Sequence, residues 1–351
     1  MSGSLTALGW DSEYAGRFNA FCMVEDVEAT PGRVIAVDRG AIDVASETGT
    51  VRVQLRPERP NNDIWPPIVG DWVGFGQGEI LFVLPRKTFL EKPSSNRGRT
   101  GQAIASNIDV VLIADPLPSH SLGRVERMVA LARHAGLEAW LIATKSDLVT
   151  ELHIQEVLES VGTTVDRVFV TTTADIKSFT SLKNALKDHG TGVIFGRSGA
   201  GKSTLVNMLV GANQATEEVR ESDGKGRHKT TRRTLHSNNG ITIIDSPGVR
   251  EIAAVTSQAT IDDVYTDIVA LAQECFFSDC SHDSEPDCAV QQAISENLLD
   301  PDQLVRFRRM SYEARRYETG FAREHRRLER KASKDAKRGR RYIMEQKRRL
   351  N

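Results

Sequence analysis

The sequence lacks the features of secreted and membrane-spanning proteins. No stretch offers the roughly 18 continuous apolar residues that a membrane-spanning helix needs. Residues 1–18 lack the basic segment and apolar core of a secretory signal. We therefore expect a cytoplasmic protein that does not enter a membrane.

Cysteine is scarce, with 4 in 351 residues, and their placement suits a reduced compartment and a metal better than a disulfide framework. Cys275, Cys280 and Cys288 nevertheless lie close together and flank His282. Three thiolates and an imidazole complete a tetrahedral site, for which Zn²⁺ is the usual occupant. Four protein ligands leave no open position, so we predict one structural zinc per chain. The alternative is a set of independent buried thiols.

The formal net charge is −1, but positive charge is concentrated at the C-terminus. From Leu304 to Asn351 there are 18 Lys or Arg against 6 Asp or Glu. Such a segment favours an acidic polymer, and we predict that the basic tail, residues 323–351, contacts RNA. A solvated charged helix is the alternative.

The chain is longer than one hydrophobic core usually supports, so several domains are expected. After an N-terminal extension at 1–30, residues 31–92 read as short strands broken by turn formers, which predicts a small β-barrel, OB-like or SH3-like. An OB barrel commonly binds RNA or single strands, although a barrel used only for protein packing is the alternative. Five basic residues could supply positive charge there: Arg52, Arg56, Arg59, Arg86 and Lys87.

Beyond the barrel, apolar strands alternate with helical segments. This alternation predicts an α/β domain at 100–255, with a parallel sheet covered by helices on both faces. Residues 256–322 are predicted to be a helical domain that carries the cysteine cluster. The basic tail follows.

One segment of the α/β domain matches the phosphate-binding pattern G-x-x-x-x-G-K-[ST] in full, between a predicted strand and a predicted helix. Its backbone N–H groups would surround phosphates, Lys202 would neutralise the β and γ oxygens, and Ser203 would bind Mg²⁺. The predicted phosphate-binding residues are Gly196, Arg197, Ser198, Gly199, Ala200, Gly201, Lys202, Ser203 and Thr204.

A second motif, Thr144-Lys145-Ser146-Asp147, ends another apolar strand and matches [NT]-K-x-D, which reads guanine. Asp147 would accept hydrogen bonds from guanine N1 and N2, a donor pair that adenine does not offer. Thr144 replaces the commoner Asn and so loses amide contacts. A backbone amide of the triplet 171–173 would face guanine O6, and Thr172 is the candidate residue. A surface turn is the alternative reading of the motif.

The third motif, Asp245-Ser-Pro-Gly248, follows a strand about forty residues after the phosphate motif and matches D-x-x-G. Asp245 would hold Mg²⁺ through a water, and the Gly248 amide would face the γ-phosphate. Ordinary GTPases place the base-reading motif last, but here it precedes the phosphate motif. The order is circularly permuted, which a sheet tolerates because a site depends on which strand ends converge.

The polar segment between the two phosphate motifs is typical of a switch that nucleotide orders. Thr231, or its neighbour Thr230, would be a second protein ligand of Mg²⁺. Val249 stands where many GTPases have a water-orienting Gln, so slow intrinsic hydrolysis is expected. We hypothesise that His228 positions the attacking water when a partner orders this segment. A solvated loop histidine is the alternative.

The ordered set T-K-S-D, G-R-S-G-A-G-K-S-T, D-S-P-G and C-x4-C-x-H-x5-C, behind a small barrel, resembles the RsgA family (YjeQ or YloQ) over roughly residues 32–330. The resemblance implies an OB domain, a circularly permuted GTPase core and a zinc domain that together bind 16S ribosomal RNA. It also implies GTP hydrolysis stimulated by the small ribosomal subunit and used in its late maturation and release. The basic tail is not required by the resemblance.

The favoured hypothesis is therefore a GTP hydrolase with Zn²⁺ and Mg²⁺ as metals and the small subunit as partner, expected to be a monomer. A second hypothesis is an RNA-binding assembly factor that uses GTP as a structural ligand with little turnover. A third is an ATPase with a zinc ribbon, against which Asp147 argues.

Overall fold

The computed structural model describes residues 4–38, 40–55, 66–92, 102–211, 233–246 and 257–316. Two compact units divide the chain: one comprises Met1–Lys92 and Ala103–Ile252, the other Pro93–Gln102 and Ala253–Asn351. The first unit therefore holds both the predicted barrel and the predicted nucleotide-binding core. The finer domain boundaries given above stay a prediction.

Two sheets contain the strands of the described residues. The larger one has the order β10-β9-β8-β11-β13-β12-β1-β2-β3-β5-β4, and β6 pairs with β7. The strands are β1 (Thr30–Asp38), β2 (Ala41–Ser46), β3 (Gly49–Gln54), β4 (Trp72–Gly76), β5 (Glu79–Val83), β6 (Phe89–Lys92), β7 (Gln102–Ser106), β8 (Val110–Pro116), β9 (Glu138–Thr144), β10 (Arg167–Val170), β11 (Thr191–Phe195), β12 (Thr234–Asn238) and β13 (Ile241–Asp245).

Helices connect and cover these strands. The described α-helices with defined ends are α1 (Ser12–Glu25), α2 (Leu122–His134), α3 (Glu151–Val161), α4 (Thr180–His189), α5 (Lys202–Val210), α6 (Gln258–Val264), α7 (Thr266–Ala272) and α8 (Ala289–Ser295). Short 3₁₀ helices occur at Leu5–Leu8, Leu117–Ser119, Ser146–Leu148 and Ile176–Phe179. Residues 301–316 are also helical.

Five neighbouring strands of the large sheet, β10, β9, β8, β11 and β13, run parallel. Strands inside this set are covered on both faces; every residue of β8 and of β11 is buried. Side chains such as Trp140, Leu182 and Leu205 form one cluster with the strands. This confirms the predicted α/β core, and it places the carboxyl ends of the parallel strands at one edge.

The barrel is closed, because β1 pairs with β2 on one side and with β4 on the other. Alternate side chains of its strands, including Val34, Ile42, Val73 and Val83, fill the interior. A single pairing, Ala36 with Thr234, joins β1 to β12 of the core sheet. The predicted five-stranded barrel is therefore confirmed, and its strands continue the sheet of the core.

Arg33 of β1 is 1% exposed and lies where the barrel, the N-terminal segment and the core sheet meet. Its guanidinium donates to the Thr191 hydroxyl (2.9 Å) and to three main-chain carbonyls, those of Leu8, Gly70 and Asn107. It also stacks over Trp72, with 5.2 Å to the ring centroid. No ion pair among the described residues includes it, and burial lowers the pKa of Arg33 to about 10.

The barrel residues predicted to supply positive charge are paired with carboxylates where they are described. Arg52 contacts Asp38 and Asp43. Arg86 binds Asp71 (2.8 Å), and Lys87 binds the carboxylates of residues 11 and 13 near the start of α1. Arg56 and Arg59 lie outside the described residues. The described side chains of this set therefore do not form an uncompensated basic surface.

The second unit is helical around the cysteine cluster, as predicted. Its described core is small and includes Ile261, Tyr265, Val290 and Met310. The Tyr265 ring packs edge-on against Phe307 at 5.5 Å between centroids. No described helix is long and apolar enough to cross a membrane.

We predict that Arg33→Ala lowers the free energy of unfolding by about 2–4 kcal/mol, because the carbonyls of Leu8, Gly70 and Asn107 each lose a buried hydrogen bond. All four tryptophans lie in the first unit, at positions 10, 65, 72 and 140, so tryptophan fluorescence during urea unfolding measures the effect. The matched control is Arg52→Ala. Arg52 also binds two partners but its side chain is 53% exposed, so a change within about 1 kcal/mol is expected. Equal effects of the two variants would contradict the role assigned to Arg33.

Candidate nucleotide and metal sites

The three predicted nucleotide motifs follow three strands of the parallel set. The strand β9 ends at Thr144, β11 ends one residue before Gly196, and β13 ends at Asp245. In the sheet register Pro116 pairs with Thr144, Phe195 with Ile113, and Ile194 with Asp245. The motifs therefore emerge at the same edge although they are far apart in the chain.

The phosphate motif forms a turn that leads into α5, as predicted. Lys202 Nζ donates to the carbonyls of Gly196 (2.7 Å) and Arg197 (2.8 Å), and the Ala200 amide also donates to Arg197 O (3.2 Å). Burial lowers the pKa of the Lys202 ammonium, and the negative charge of Asp245 opposes this shift. The lysine is thus held at the inner side of the turn and within electrostatic reach of Asp245.

Gly196 is required by close packing against the neighbouring strand. Its φ is +155°, and a Cβ at this position would lie 2.4 Å from the Ala114 carbonyl oxygen of β8. Any larger residue would push the turn away from the sheet. The start of the phosphate turn is therefore fixed on the backbone of β8.

A hydrogen bond joins the base-reading motif to the phosphate motif. The Thr144 hydroxyl donates to the Ala200 carbonyl at 3.0 Å, and Thr144 is buried. The next residue, Lys145, has φ +60° and ψ +42°, the left-handed conformation in which the chain turns after β9. Thr144 thus keeps a contact with the phosphate turn although threonine lacks the amide of asparagine.

Asp147 is exposed, and one of its carboxylate oxygens accepts a hydrogen bond from the Thr172 hydroxyl. The Thr172 hydroxyl accepts in turn from the Ala174 amide (3.1 Å), and the Thr172 amide donates to Ser178 Oγ (3.1 Å). The Ser146 amide donates to the Thr171 carbonyl (3.3 Å). The loops after β9 and β10 therefore fix the orientation of the Asp147 side chain.

Several predicted residues cannot be placed in this way. Gly248, His228, Thr230, Thr231 and Val249 lie outside the described residues. Ser203 and Thr204 begin α5 and are partly exposed at its N-terminal end. Hence the described part of the site comprises the phosphate turn, the base-reading loop and Asp245.

The predicted metal ligands come together in the second unit. Ligand atoms of Cys275, Cys280, His282 and Cys288 all lie within 4.8 Å of one another. The Sγ atoms of Cys275 and Cys288 are 3.8 Å apart, and His282 Nδ1 lies 3.5 Å and 3.6 Å from them. Ligands at zinc bond lengths in a tetrahedron would be separated by about 3.8 Å for two sulfurs and about 3.6 Å for sulfur and nitrogen. The spacing therefore fits zinc, and it is too long for a disulfide.

The surroundings of the cluster also suit a cation. Desolvation, with two neighbouring thiols, raises the pKa of the Cys280 thiol to about 11, since thiolates crowded together repel without a metal. Burial would raise the pKa of Cys275, but the amides of Val290 and Ala289 outweigh it, and the pKa is lowered. Burial lowers the pKa of His282, which favours the neutral imidazole that binds metals.

The ligand loop is shaped by Glu285 and Gln291. The Glu285 carboxylate accepts from the amides of Ser281 (2.9 Å), Asp283 (2.9 Å) and Ser284 (3.1 Å). The Ser281 hydroxyl also donates to this carboxylate, and together with the amides it lowers the pKa of Glu285 to about 2. The Gln291 side chain donates to the His282 carbonyl. The backbone that carries the four ligands is thus defined by the protein itself.

Comparison with known proteins agrees with this geometry. The sequence model of the RsgA GTPase family matches residues 83–255 of this chain. The small ribosomal subunit biogenesis GTPase RsgA of Streptomyces coelicolor is 35% identical over 322 residues, which cover 89% of this chain and 87% of that protein. The chain belongs to the RsgA GTPase family. Another relative, small ribosomal subunit biogenesis GTPase RsgA 1 of Listeria innocua, is 36% identical over 325 residues, with 88% and 92% coverage.

Solved structures in the family share the fold. YjeQ from Thermotoga maritima aligns with a TM-score of 0.60 and 24% identity over 82% of this chain and 99% of that one. YloQ, described as a circularly permuted GTPase, aligns with a TM-score of 0.57 and 23% identity over 82% and 96%. These likenesses confirm the predicted fold class, including the permuted order of the motifs.

Three features of the sites were not predicted from the sequence. The roles of the Thr172 hydroxyl, which orients Asp147, and of the Thr144 hydroxyl, which binds Ala200, depend on contacts between distant segments. The contribution of Glu285 was missed as well. Its position three residues after a metal ligand and within a loop rich in polar amides was a weak local signal.

For the metal site we predict that the chain binds one zinc ion and that Cys280→Ser weakens zinc binding by well over tenfold. Changes outside the ligand set alone cost about 10–100-fold in affinity, so loss of a ligand costs more. Metal content after dialysis against a weak chelator, measured by mass spectrometry, tests this. Cys22→Ser is the matched control, because Cys22 lies in α1 of the first unit. A Cys280→Ser protein that keeps as much zinc as the control would refute the site.

Proposed function

We propose that this protein is a GTP hydrolase that acts in late maturation of the small ribosomal subunit. The observation that carries the proposal is the Thr144–Ala200 hydrogen bond, since it brings a guanine-reading loop against a phosphate-binding turn at one sheet edge. Family membership supports it, because relatives at about one-third identity over most of the chain are small ribosomal subunit biogenesis GTPases.

Guanine would lie against the loops after β9 and β10. Asp147 accepts from guanine N1 and N2, with the Thr172 hydroxyl holding the carboxylate in place. Lys145 and Ser146 line the same loop. Because the Thr172 amide already donates to Ser178, we assign the contact with guanine O6 to the next amide along, that of Thr173. The sequence-based choice of Thr172 is thereby refined to an orienting role.

The phosphates would occupy the turn from Gly196 to Thr204. There the backbone amides and the α5 N-terminus provide positive potential. Lys202 would exchange its hydrogen bonds with two carbonyls for bonds to the β and γ oxygens. Ser203, Thr231 and Asp245 would hold Mg²⁺, which neutralises charge that develops on the transferred phosphoryl group.

His228 stays our candidate for orienting the attacking water, since Val249 is unable to do so. Intrinsic hydrolysis is then slow, and binding to the small subunit accelerates it. In this scheme GTP favours the subunit-bound state, and hydrolysis weakens binding and releases the protein.

The remaining parts would serve binding to 16S ribosomal RNA in the cytoplasm. The barrel, the zinc-containing unit and the basic tail at 323–351 are the contact surfaces we assign. Since the described basic side chains predicted for the barrel are paired with acids, the tail would contribute most of the salt-dependent attraction. We expect a monomer in solution.

The second hypothesis, an RNA-binding assembly factor with GTP as a structural ligand, shares the same nucleotide site. It is favoured only by Val249, which stands in the sequence where many GTPases have a water-orienting Gln. It differs from the first hypothesis in predicting little turnover with the small subunit.

A base-specificity test follows from Asp147. We predict that Asp147→Asn lowers GTP affinity by about a hundredfold, because two charge-assisted hydrogen bonds are lost. The variant should gain affinity for xanthosine triphosphate, since xanthine has a carbonyl at C2 that the Asn amide N–H reaches. Displacement of a fluorescent nucleotide measures both affinities.

The control for this test is Asp175→Asn, which changes a carboxylate that caps the adjacent 3₁₀ helix and leaves Asp147 intact. It should bind GTP like the wild type. If Asp147→Asn retained full GTP affinity, Asp147 would not read the base.

A second test compares GTP hydrolysis with small subunits, large subunits and bare 16S RNA. We predict stimulation by small subunits above all, and its loss in His228→Ala without loss of GTP binding. Single-turnover measurements separate the two hypotheses. GTP binding with no stimulation by small subunits would favour the structural-ligand hypothesis, and normal stimulation of His228→Ala would exclude that residue as the one that orients water.

A further inference from the structure

The loop that follows β8 contacts the phosphate turn through one pair of side chains. Arg197 of the turn donates from Nη2 to the Ser119 hydroxyl. Ser119 ends the 3₁₀ helix Leu117–Ser119, and 78 residues separate it from Arg197 in the chain. The contact adds to the packing of Gly196 against Ala114 of β8.

A buried carboxylate fixes the backbone of this loop. Asp115, 4% exposed, accepts from Arg124 Nη2 (2.9 Å), from His120 Nδ1 (2.8 Å) and from the Ser121 amide (3.3 Å). Arg124 also donates to the Ser119 carbonyl. A buried charge with these partners is costly to rearrange, so the position of Ser119 is well defined.

The backbone of Arg197 makes hydrogen bonds with two other residues of the phosphate turn. Its carbonyl accepts from Lys202 Nζ (2.8 Å) and from the Ala200 amide (3.2 Å). Any movement of Arg197 therefore changes the position of Lys202 and of the amides that would face phosphate. Because Arg197 is exposed, the Ser119 hydroxyl is the described protein group that restrains its guanidinium.

We propose that Ser119 is a positioning residue for nucleotide binding, acting through Arg197 on the phosphate turn and Lys202. This proposal rests on the proposed function, since it assumes that the turn binds the phosphates of a nucleotide. The base loop is tied to the turn by Thr144 at the end of β9, and Ser119 supplies an independent tie from the loop after β8. The turn is then organised before the nucleotide arrives, which reduces the entropy lost on binding.

The test is a double-mutant cycle on GDP and GTP affinity, with Ser119→Ala, Arg197→Ala and the double variant. Loss of one hydrogen bond predicts that Ser119→Ala raises the Kd by about three- to tenfold. Arg197→Ala should raise it at least as much. The double variant should match Arg197→Ala, because the two residues act through one contact. Ser119→Thr, which keeps the hydroxyl, should restore affinity to near the wild-type value.

Controls separate positioning from folding. Ser121→Ala changes a neighbouring serine whose side chain makes no described hydrogen bond, and it should bind like the wild type. Thermal unfolding of the nucleotide-free chain should be the same for the wild type, Ser119→Ala and Ser121→Ala. A drop in melting temperature for Ser119→Ala alone would indicate a structural role and overturn the proposal.

The outcomes also distinguish this proposal from the proposed function. Wild-type affinity in Ser119→Ala, or a double variant whose loss is the product of the two single losses, would overturn the proposal and leave the GTPase function standing. If the wild type bound adenine and guanine nucleotides equally, only the assignment of Asp147 to guanine would be wrong, because the double-mutant cycle would still measure the contact between Ser119 and Arg197. A wild type that bound no nucleotide would overturn both.

Discussion

The parallel alignment of β9, β8, β11 and β13 is the constraint on which both the fold and the site depend. Since the strands run in one direction, their carboxyl ends share an edge, and segments near residues 145, 200 and 245 meet there. The hydrogen bond between Thr144 and Ala200 joins the base-reading loop to the phosphate turn at this edge. The order of the motifs along the chain is then free to vary, and the permuted order places the segment after Asp245 next to the second unit in sequence.

Two contacts connect the barrel to the core sheet. The strand β1 belongs to the barrel and also pairs with β12, which precedes the strand that carries Asp245. Arg33 binds Thr191 at the start of β11, the strand that leads to the phosphate turn. The barrel is thus joined to β12 and to the start of β11 in the core sheet.

Much of this was predictable from local patterns. A helix was predicted directly after the phosphate motif, and α5 lies there; its C-cap is Gly211, which has a left-handed conformation. The cluster of Cys275, Cys280, His282 and Cys288 was predictable because its chemistry and short spacing are specific. The positions of Arg33, Ser119 and the Thr172 hydroxyl were not predicted, since each contacts residues far away in the chain. The pairing of barrel Arg and Lys side chains with acids was missed for the same reason.

The most direct test is a structure of the chain with Mg²⁺ and a GTP analogue that resists hydrolysis. The expected arrangement has the Asp147 carboxylate at guanine N1 and N2, Lys202 Nζ at the β and γ oxygens, and the Thr144–Ala200 contact preserved. A guanine ring bound away from the loop that holds Asp147, or phosphates outside the turn that begins at Gly196, would contradict it.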